Sequence, residues 1–395
     1  MPPRALAGPS DPAGPRTQAE VFAAVLGAGP MSRGQVAQRL GVSASTVTKA
    51  VNPLVREGYL CEGGGTSSGP GRPVRLLSVN QDRHVVVGVK LAPTRVTGVV
   101  TDMAARVLAR VDRPVRRTTP ADLLGVAGEV VRAVLGAVPD SPARVLGVGV
   151  GIGGHVDAAG GACRYSALLG WRDVDVAVPL VAATGLPVVV NNDVNALAVA
   201  ERWFGAGRDV DSFAVVTVGV GIGCGLLLGG ELFVGTGGMA GELGHLPLVA
   251  DGPRCTCGSR GCLEAVASGP AVLRGIQDRC GRRCGSLGAA VDLARAGQGA
   301  AGVAAREAFA VAGDALGRGL AALCNLLNLG RIILSGEGVV AYDLIGPALI
   351  GALRRHAFST AARDCEILVD AVNDDAWARG AACLVIHDAV VRSVR

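Results

Sequence analysis

One imidazole and three thiols fall within eighteen residues near the middle of the chain: His245, Cys255, Cys257 and Cys262. This donor set suits a closed tetrahedral zinc site. Soft thiolates select zinc over magnesium or calcium. Gly258, Gly261 and the short spacers let the backbone wrap around an ion. With all four positions filled by protein, no place is left for water, so the zinc is expected to be structural. The remaining cysteines lack such grouping and are expected mostly as small buried apolar side chains. Met1 to Arg16 lacks the apolar core of a signal peptide, and no run of 18 apolar residues is free of charge or helix breakers. A cytoplasmic protein without a membrane partner is the expectation, and it favours a metal over a disulfide framework.

A second set of residues, polar and basic, lies in the first fifth of the chain. A first helix reads over Gln18–Leu26. Ser32 is placed to cap a second helix, Arg33–Leu40, and Ser43 to cap a third that runs to about Arg56. Gly41-Val42-Ser43 makes the tight turn between them, with Gly41 able to take positive φ. Ala37 is small where the helices would cross, and Leu40, Val42, Val47, Val51 and Leu54 would form the shared core. This is helix-turn-helix spacing. The third helix would then expose Ser43, Ser45, Thr46, Thr48 and Lys49 to base edges or phosphates in a major groove. Gly58-Tyr59-Leu60 begins a wing. Gly71-Arg72-Pro73 with Arg75 makes a basic hook suited to a narrow minor groove. Residues 1–80 hold eight basic and four acidic side chains, a net of +4, while the whole chain carries only +5. That concentration fits a double-stranded DNA partner. The alternative is a helical protein-interaction module.

These side chains need a scaffold. At 395 residues, half apolar and only 18% charged, the chain is core-rich and long enough for two or three folded units. Aromatics are 3% against 59 glycines, so small residues must build much of the packing. Residues 1–15 read as a disordered tail, 16–80 as the winged helix-turn-helix, 81–200 as a first lobe and 201–395 as a second lobe with the zinc site. Within the lobes, runs of β character alternate with helices. Strands are expected at His84–Lys90, Arg95–Thr101, Val107–Val111 and Val145–Val150, with a helix at Ala121–Val138. Val188–Asn191 leads into a helix at Val194–Phe204. The pattern repeats with strands at Phe213–Val218, Gly223–Leu228 and Glu231–Val234, then a long helix at about 301–327. Strand Arg331–Leu334, a helix near Tyr342–Arg355, strand Glu366–Val369 and a last helix from Asp375 to Val391 complete it. Two β-rich lobes with helices make an α/β protein.

The stretch Gly235-x-x-Gly238-x-Ala240-Gly241-Glu242-Leu243-Gly244-His245, then Cys255-Thr256-Cys257-Gly258-x-x-Gly261-Cys262-Leu263-Glu264, resembles the signature of the ROK family of repressors and kinases. The resemblance spans about residues 16–395. It implies an actin-like, ribonuclease H-like sugar-kinase fold of two lobes, with a sugar pocket between them beside the zinc. By motif, Asn192, Asp193, Glu242, His245 and Glu264 would line that pocket. Carboxylates and an amide suit adjacent hydroxyls. His245 could serve zinc through one ring nitrogen and present the other to a sugar hydroxyl. The alternative role for Asp193 is a helix N-cap, because Val194–Phe204 follows directly. The family also implies a homodimer or homotetramer.

In ROK kinases Asp193 would be the base that deprotonates the sugar hydroxyl, and an Asp-x-Gly-Gly-Thr loop would cradle ATP. Here that loop reads Lys90-Leu91-Ala92-Pro93-Thr94. The acid is replaced, both glycines are gone, and Pro93 removes an N–H. A second loop, Gly219-Val220-Gly221-Ile222-Gly223, keeps its glycines, which read more simply as close packing between strands. Glu337 falls near the expected nucleotide edge, where its charge opposes polyphosphate. The expectation is a sugar-responsive repressor that does not use ATP and is not an enzyme. The alternatives are an ATP-dependent, glucokinase-like sugar kinase with an appended DNA-binding module, and an activator or constitutive DNA binder with a vestigial pocket.

Overall fold

The computed structural model describes residues 15–64, 74–138, 144–370 and 375–392. Most of the tail read at 1–15, and Arg72 in the expected hook, lie outside these residues. The chain forms two compact units. One holds residues up to Ile152 with Asp175–Asn191 and Ala378–Arg395; the other holds Gly153–Val174 and Asn192–Trp377. Both units are discontinuous, whereas a linear reading places a single break near residue 200.

The first unit opens with α1 (Pro15–Ala28), β1 (Met31–Ser32), α2 (Arg33–Leu40), α3 (Ala44–Arg56), β2 (Leu60–Gly64) and β3 (Arg75–Val79). Ser32 and Gln35 close a capping box at the start of α2. Gly41 ends α2 at φ 65. The Ser43 side chain then accepts the Thr46 N–H at 3.1 Å to start α3. Val36, Val47, Val51 and Leu54 are fully buried, while Leu40 and Val42 are only half-buried at the turn. Strands β1, β3 and β2 pair antiparallel in that order. Three helices and a small sheet make a winged helix-turn-helix.

The same unit continues with β4 (Val85–Leu91), β5 (Arg95–Asp102), β6 (Val107–Pro114), α4 (Pro120–Gly136) and β7 (Val145–Ile152). An excursion through β8 (His155–Asp157), β9 (Ala162–Ser166) and β10 (Trp171–Asp175) belongs to the second unit. The chain returns with α5 (Ala177–Thr184) and β11 (Val188–Asn192). The sheet order is β11-β7-β4-β5-β6, with β4 antiparallel to β5 and parallel to β7. Gly88 and Gly149 are register partners on β4 and β7. A Cβ on either would strike the backbone of Ala378 or Ala381. The pair makes a bare patch on which the last helix lies directly against the sheet.

The second unit runs α6 (Asp193–Phe204), β12 (Phe213–Val218), β13 (Ile222–Leu228) and β14 (Glu231–Phe233). Helices α7 (Leu263–Ala267), α8 (Gly269–Cys280), α9 (Leu287–Ala296) and α10 (Gly299–Leu327) follow. It closes with β15 (Arg331–Ser335), α11 (Tyr342–His356), α12 (Ala361–Asp364) and β16 (Glu366–Val369), before α13 (Ala376–Arg392) leads back. Its sheet order is β14-β13-β12-β15-β16. Strands β12 to β14 form an antiparallel meander, and β15 and β16 add in parallel. Counted from its first strand, each sheet has the order third, second, first, fourth, fifth. Helix α10 is long and apolar enough to cross a membrane by length and composition. Here it packs against α7, α8, α9 and α11 inside the unit's core. Its buried face is mostly Gly and Ala, the small-residue packing that scarce aromatics require.

Candidate functional site

The four metal-ligand candidates converge. One ligand atom from each of His245, Cys255, Cys257 and Cys262 lies within 4.8 Å of every other. Sulfur bonds of 2.3 Å and a nitrogen bond of 2.0–2.1 Å at tetrahedral angles imply S···S edges of ~3.8 Å and N···S edges of ~3.6 Å. Cys257 and Cys262 sulfurs are 3.7 Å apart, and Cys255 Sγ is 3.5 Å from His245 Nδ1. The donor set therefore fits zinc in both chemistry and spacing. Cys262 sits at the start of α7 and His245 ends a short turn after Glu242. Between them the chain doubles back, with Cys255 N–H donating to Ser259 and Gly261 N–H to Pro253. Gly261 has φ 67, and a Cβ there would strike Val249 O, so only glycine closes this loop. The Ser259 N–H draws the Cys257 thiol down to about 7, so this ligand gives up its proton more readily than an ordinary thiol. Burial pushes Cys262 up to about 12; there an ion's charge must drive the proton off.

His245 turns its second ring nitrogen, Nε2, toward Glu242 Oε2 at 3.8 Å. Glu264, the second residue of α7, is committed on both oxygens. Oε2 accepts the Ile222 N–H at 3.1 Å and Oε1 the Thr256 hydroxyl at 3.2 Å. Thr256 was not singled out from the sequence; its place between two ligand cysteines is the signal that could have found it.

Asn192 and Asp193 reach this region through β13, against which α6 packs at Gly223 and Gly225. The cap of α6 is Asn192 rather than Asp193. Its Oδ1 accepts from Val194 and Asn195, and its Nδ2 donates to Gly154 O at 2.9 Å. Asp193 becomes the first helical residue, 8% exposed, with Oδ1 accepting the Val194 N–H and Oδ2 facing Gly153. The segment at 153–172, illegible in sequence, supplies this neighbourhood. Beside it an open recess of about 410 Å³ is lined by Tyr165, Ser166, Ala167, Gly170, Trp171, Arg172 and Thr256.

On the winged module, Ser45, Thr48 and Lys49 are exposed along α3. Thr46 is a correction: it is buried, and its hydroxyl lies 2.8 Å from Ser43 Oγ. The third residue of a capped helix turns inward toward its cap, so Thr46 supports the helix start instead of facing outward. Ser43 is exposed but spends its oxygen on the cap. Arg75, the first residue of β3, is exposed and leans on Glu62 at 3.5 Å. Glu62 also pairs with Arg33 of α2 at 2.6 Å, which ties the wing to the helices. Arg33 holds the Glu62 carboxyl below its usual range.

A ROK family profile matches residues 86–388. The chain belongs to the ROK family. A MarR family profile matches residues 15–65, the winged module. This ROK chain is 27% identical over 363 residues to the xylose repressor of Bacillus subtilis (strain 168), covering 92% of each. Among solved structures it resembles a ROK family transcriptional regulator, a homolog of the E. coli MLC protein. That match has a TM-score of 0.80 and 24% identity, over 96% of this chain and 97% of that one. It also resembles a ROK family glucokinase from Streptomyces griseus in complex with glucose and AMPPNP. There the TM-score is 0.65 with 29% identity, over 76% of this chain and 98% of that one. The fold is the expected one: an actin-like sugar-kinase scaffold behind a winged helix-turn-helix.

Proposed function

We propose that this ROK chain is a sugar-responsive DNA-binding transcriptional repressor of carbohydrate metabolism genes. The observation that carries the reading is the joining, in one chain, of a winged helix-turn-helix to a ROK scaffold. The likeness to a xylose repressor along 92% of both chains supports it. Ser45, Thr48, Lys49 and Arg75 meet the operator, and Arg72, outside the described residues, is expected to join them. Glu242, His245 Nε2 and Asp193 offer the polar groups that a sugar's adjacent hydroxyls require. Asn192 and Glu264 hold that group in place through the bonds described above. Zinc on His245 Nδ1 and the three thiols is structural: it fixes the loop that carries His245 and Thr256. The protein works in the cytoplasm as a homodimer or homotetramer across two half-sites.

Sugar binding weakens DNA binding by favouring one of two conformations, with ~1–3 kcal/mol of coupling typical of such systems. ATP takes no part. The turn at Lys90–Thr94 has no acid and no glycine, and Pro93 has no N–H to offer a phosphate.

The test is fluorescence anisotropy of a DNA fragment from the gene's own upstream region, titrated with free pentoses, hexoses and N-acetylhexosamines. Salt-sensitive DNA binding that one sugar reverses is the expected result. Formation of sugar phosphate from Mg·ATP, abolished by Asp193→Asn, would overturn it in favour of a kinase.

A further inference from the structure

One side chain joins three elements of the winged module. Arg33, the first residue of α2, reaches both α3 and β2 with a single guanidinium. Its Nε and Nη2 donate to Glu62 Oε1 on β2 at 3.0 and 2.6 Å. Its Nη1 donates to Asn52 Oδ1 on α3 at 3.1 Å. The other Glu62 oxygen, Oε2, faces Arg75 Nη1 on β3. Arg33 and Glu62 are half-buried, whereas Arg75 is exposed. Asn52 stands immediately before Pro53, which lies inside α3. Proline has no N–H, so α3 lacks the bond that would reach back to the Lys49 carbonyl. The helix therefore has one bond fewer between the stretch that exposes Ser45, Thr48 and Lys49 and the stretch that leads into the wing. Arg33 spans that point, with Asn52 before it in the chain and Glu62 after it.

We propose that Arg33 and Glu62 are positioning residues for DNA binding: they fix the wing against α3, so that major-groove and minor-groove contacts form together. Arginine suits this task because its planar fork bonds two partners at once in a set geometry. A wing held in place beforehand lowers the ordering cost of association. Charge and position predict opposite signs for Glu62. By charge alone, an acid beside Arg75 repels phosphates, and neutralising it tightens DNA binding. As a positioning residue, neutralising it weakens DNA binding, because Arg33 loses its charged partner and the wing loses its hold. The role rests on the reading of this chain as a DNA-binding repressor, and it names the residues that make the two contact surfaces act as one.

The experiment is fluorescence anisotropy of the full-length, zinc-loaded chain on the upstream DNA fragment across a salt series, with hydroxyl-radical footprinting of the same complexes. Glu62→Gln should bind about threefold to tenfold more weakly than wild type. Arg33→Lys keeps the positive charge but not the fork. It should weaken binding to a similar degree with the salt slope unchanged, and it serves if Glu62→Gln does not fold. In both variants protection should fade first in the minor-groove strip under the wing and persist in the major groove under α3. Thermal unfolding reports that each variant is folded. Tighter or unaltered binding by folded Glu62→Gln, Arg33→Lys that binds like wild type, or protection that fades equally in both grooves would overturn the positioning role. Wild-type chain that binds no DNA would overturn the repressor reading, and the positioning role with it.

Discussion

The two five-stranded sheets share a strand order but close their first hairpins differently. In the first sheet the turn after β4 runs through Ala92, Pro93 and Thr94. It is held by backbone bonds, Ala92 N–H to Arg95 O at 3.1 Å and Val115 N–H to Thr94 O at 2.9 Å. In the second sheet the matching turn is glycine-rich, and two of its N–H groups are taken by side chains from distant elements. One of those side chains, Glu264, also reaches Thr256 inside the metal loop. The same topology thus yields one hairpin whose turn is held by backbone bonds, within itself and to Val115 after β6, and another tied to the metal loop and to the segment after β15. A repeated fold does not repeat its loads; polar groups at the turn decide what each hairpin is coupled to.

The largest test of this contrast is metal removal. Cys257→Ser should lower zinc to well under one ion per chain and destabilise the second unit by several kcal/mol. That is a fraction of the ~10–16 kcal/mol that structural zinc supplies in small fingers. Hydrogen exchange should quicken at Val220 and Ile222 and stay unchanged in the β4–β5 hairpin. Full zinc content, or equal loosening of both hairpins, would break the comparison.

A smaller effect separates the turns themselves. Gly219→Ala should cost about 1–3 kcal/mol in urea unfolding, because its Cβ displaces the Glu337 carboxylate. Ala92→Gly in the first turn should cost under about 1 kcal/mol, the loss being mainly backbone entropy. Equal costs would show that the carboxylate contact carries no weight. The smallest effect is expected for Thr256→Val, at about 0.5–1 kcal/mol, since one partly exposed hydroxyl bond is lost. The variant sharpens the comparison if sugar affinity falls while metal content holds. Unaltered stability and affinity would remove Thr256 from the link between the metal loop and the hairpin.

Much of this was legible because it is local. The caps at Ser32 and Ser43, the left-handed Gly41 and the bounds of α2 follow from residues three or four apart. So do the strand alternation and the clustering of ligand residues. What could not be read lies where distant segments meet. The excursion through β8 to β10 has no strong apolar period, and its role comes from contact with Asn192 and Asp193. Thr46 looked exposed by helical spacing but turns toward its cap. Asn192 takes the cap of α6 because its Nδ2 also finds Gly154 O, 38 residues earlier.

The sequence by itself determined the chemistry available: a Cys3His donor set, a helix-turn-helix with a basic bias, and two glycine-poor or glycine-rich turns. Side-chain type and short spacing are enough for that. Tertiary structure alone decided how the chemistry is spent. It turned Nδ1 of His245 to the thiols and Nε2 to Glu242. It also laid Glu337 on an N–H from another strand. Orientation and occupancy depend on which backbone arrives across more than a hundred residues, and no local pattern encodes that meeting.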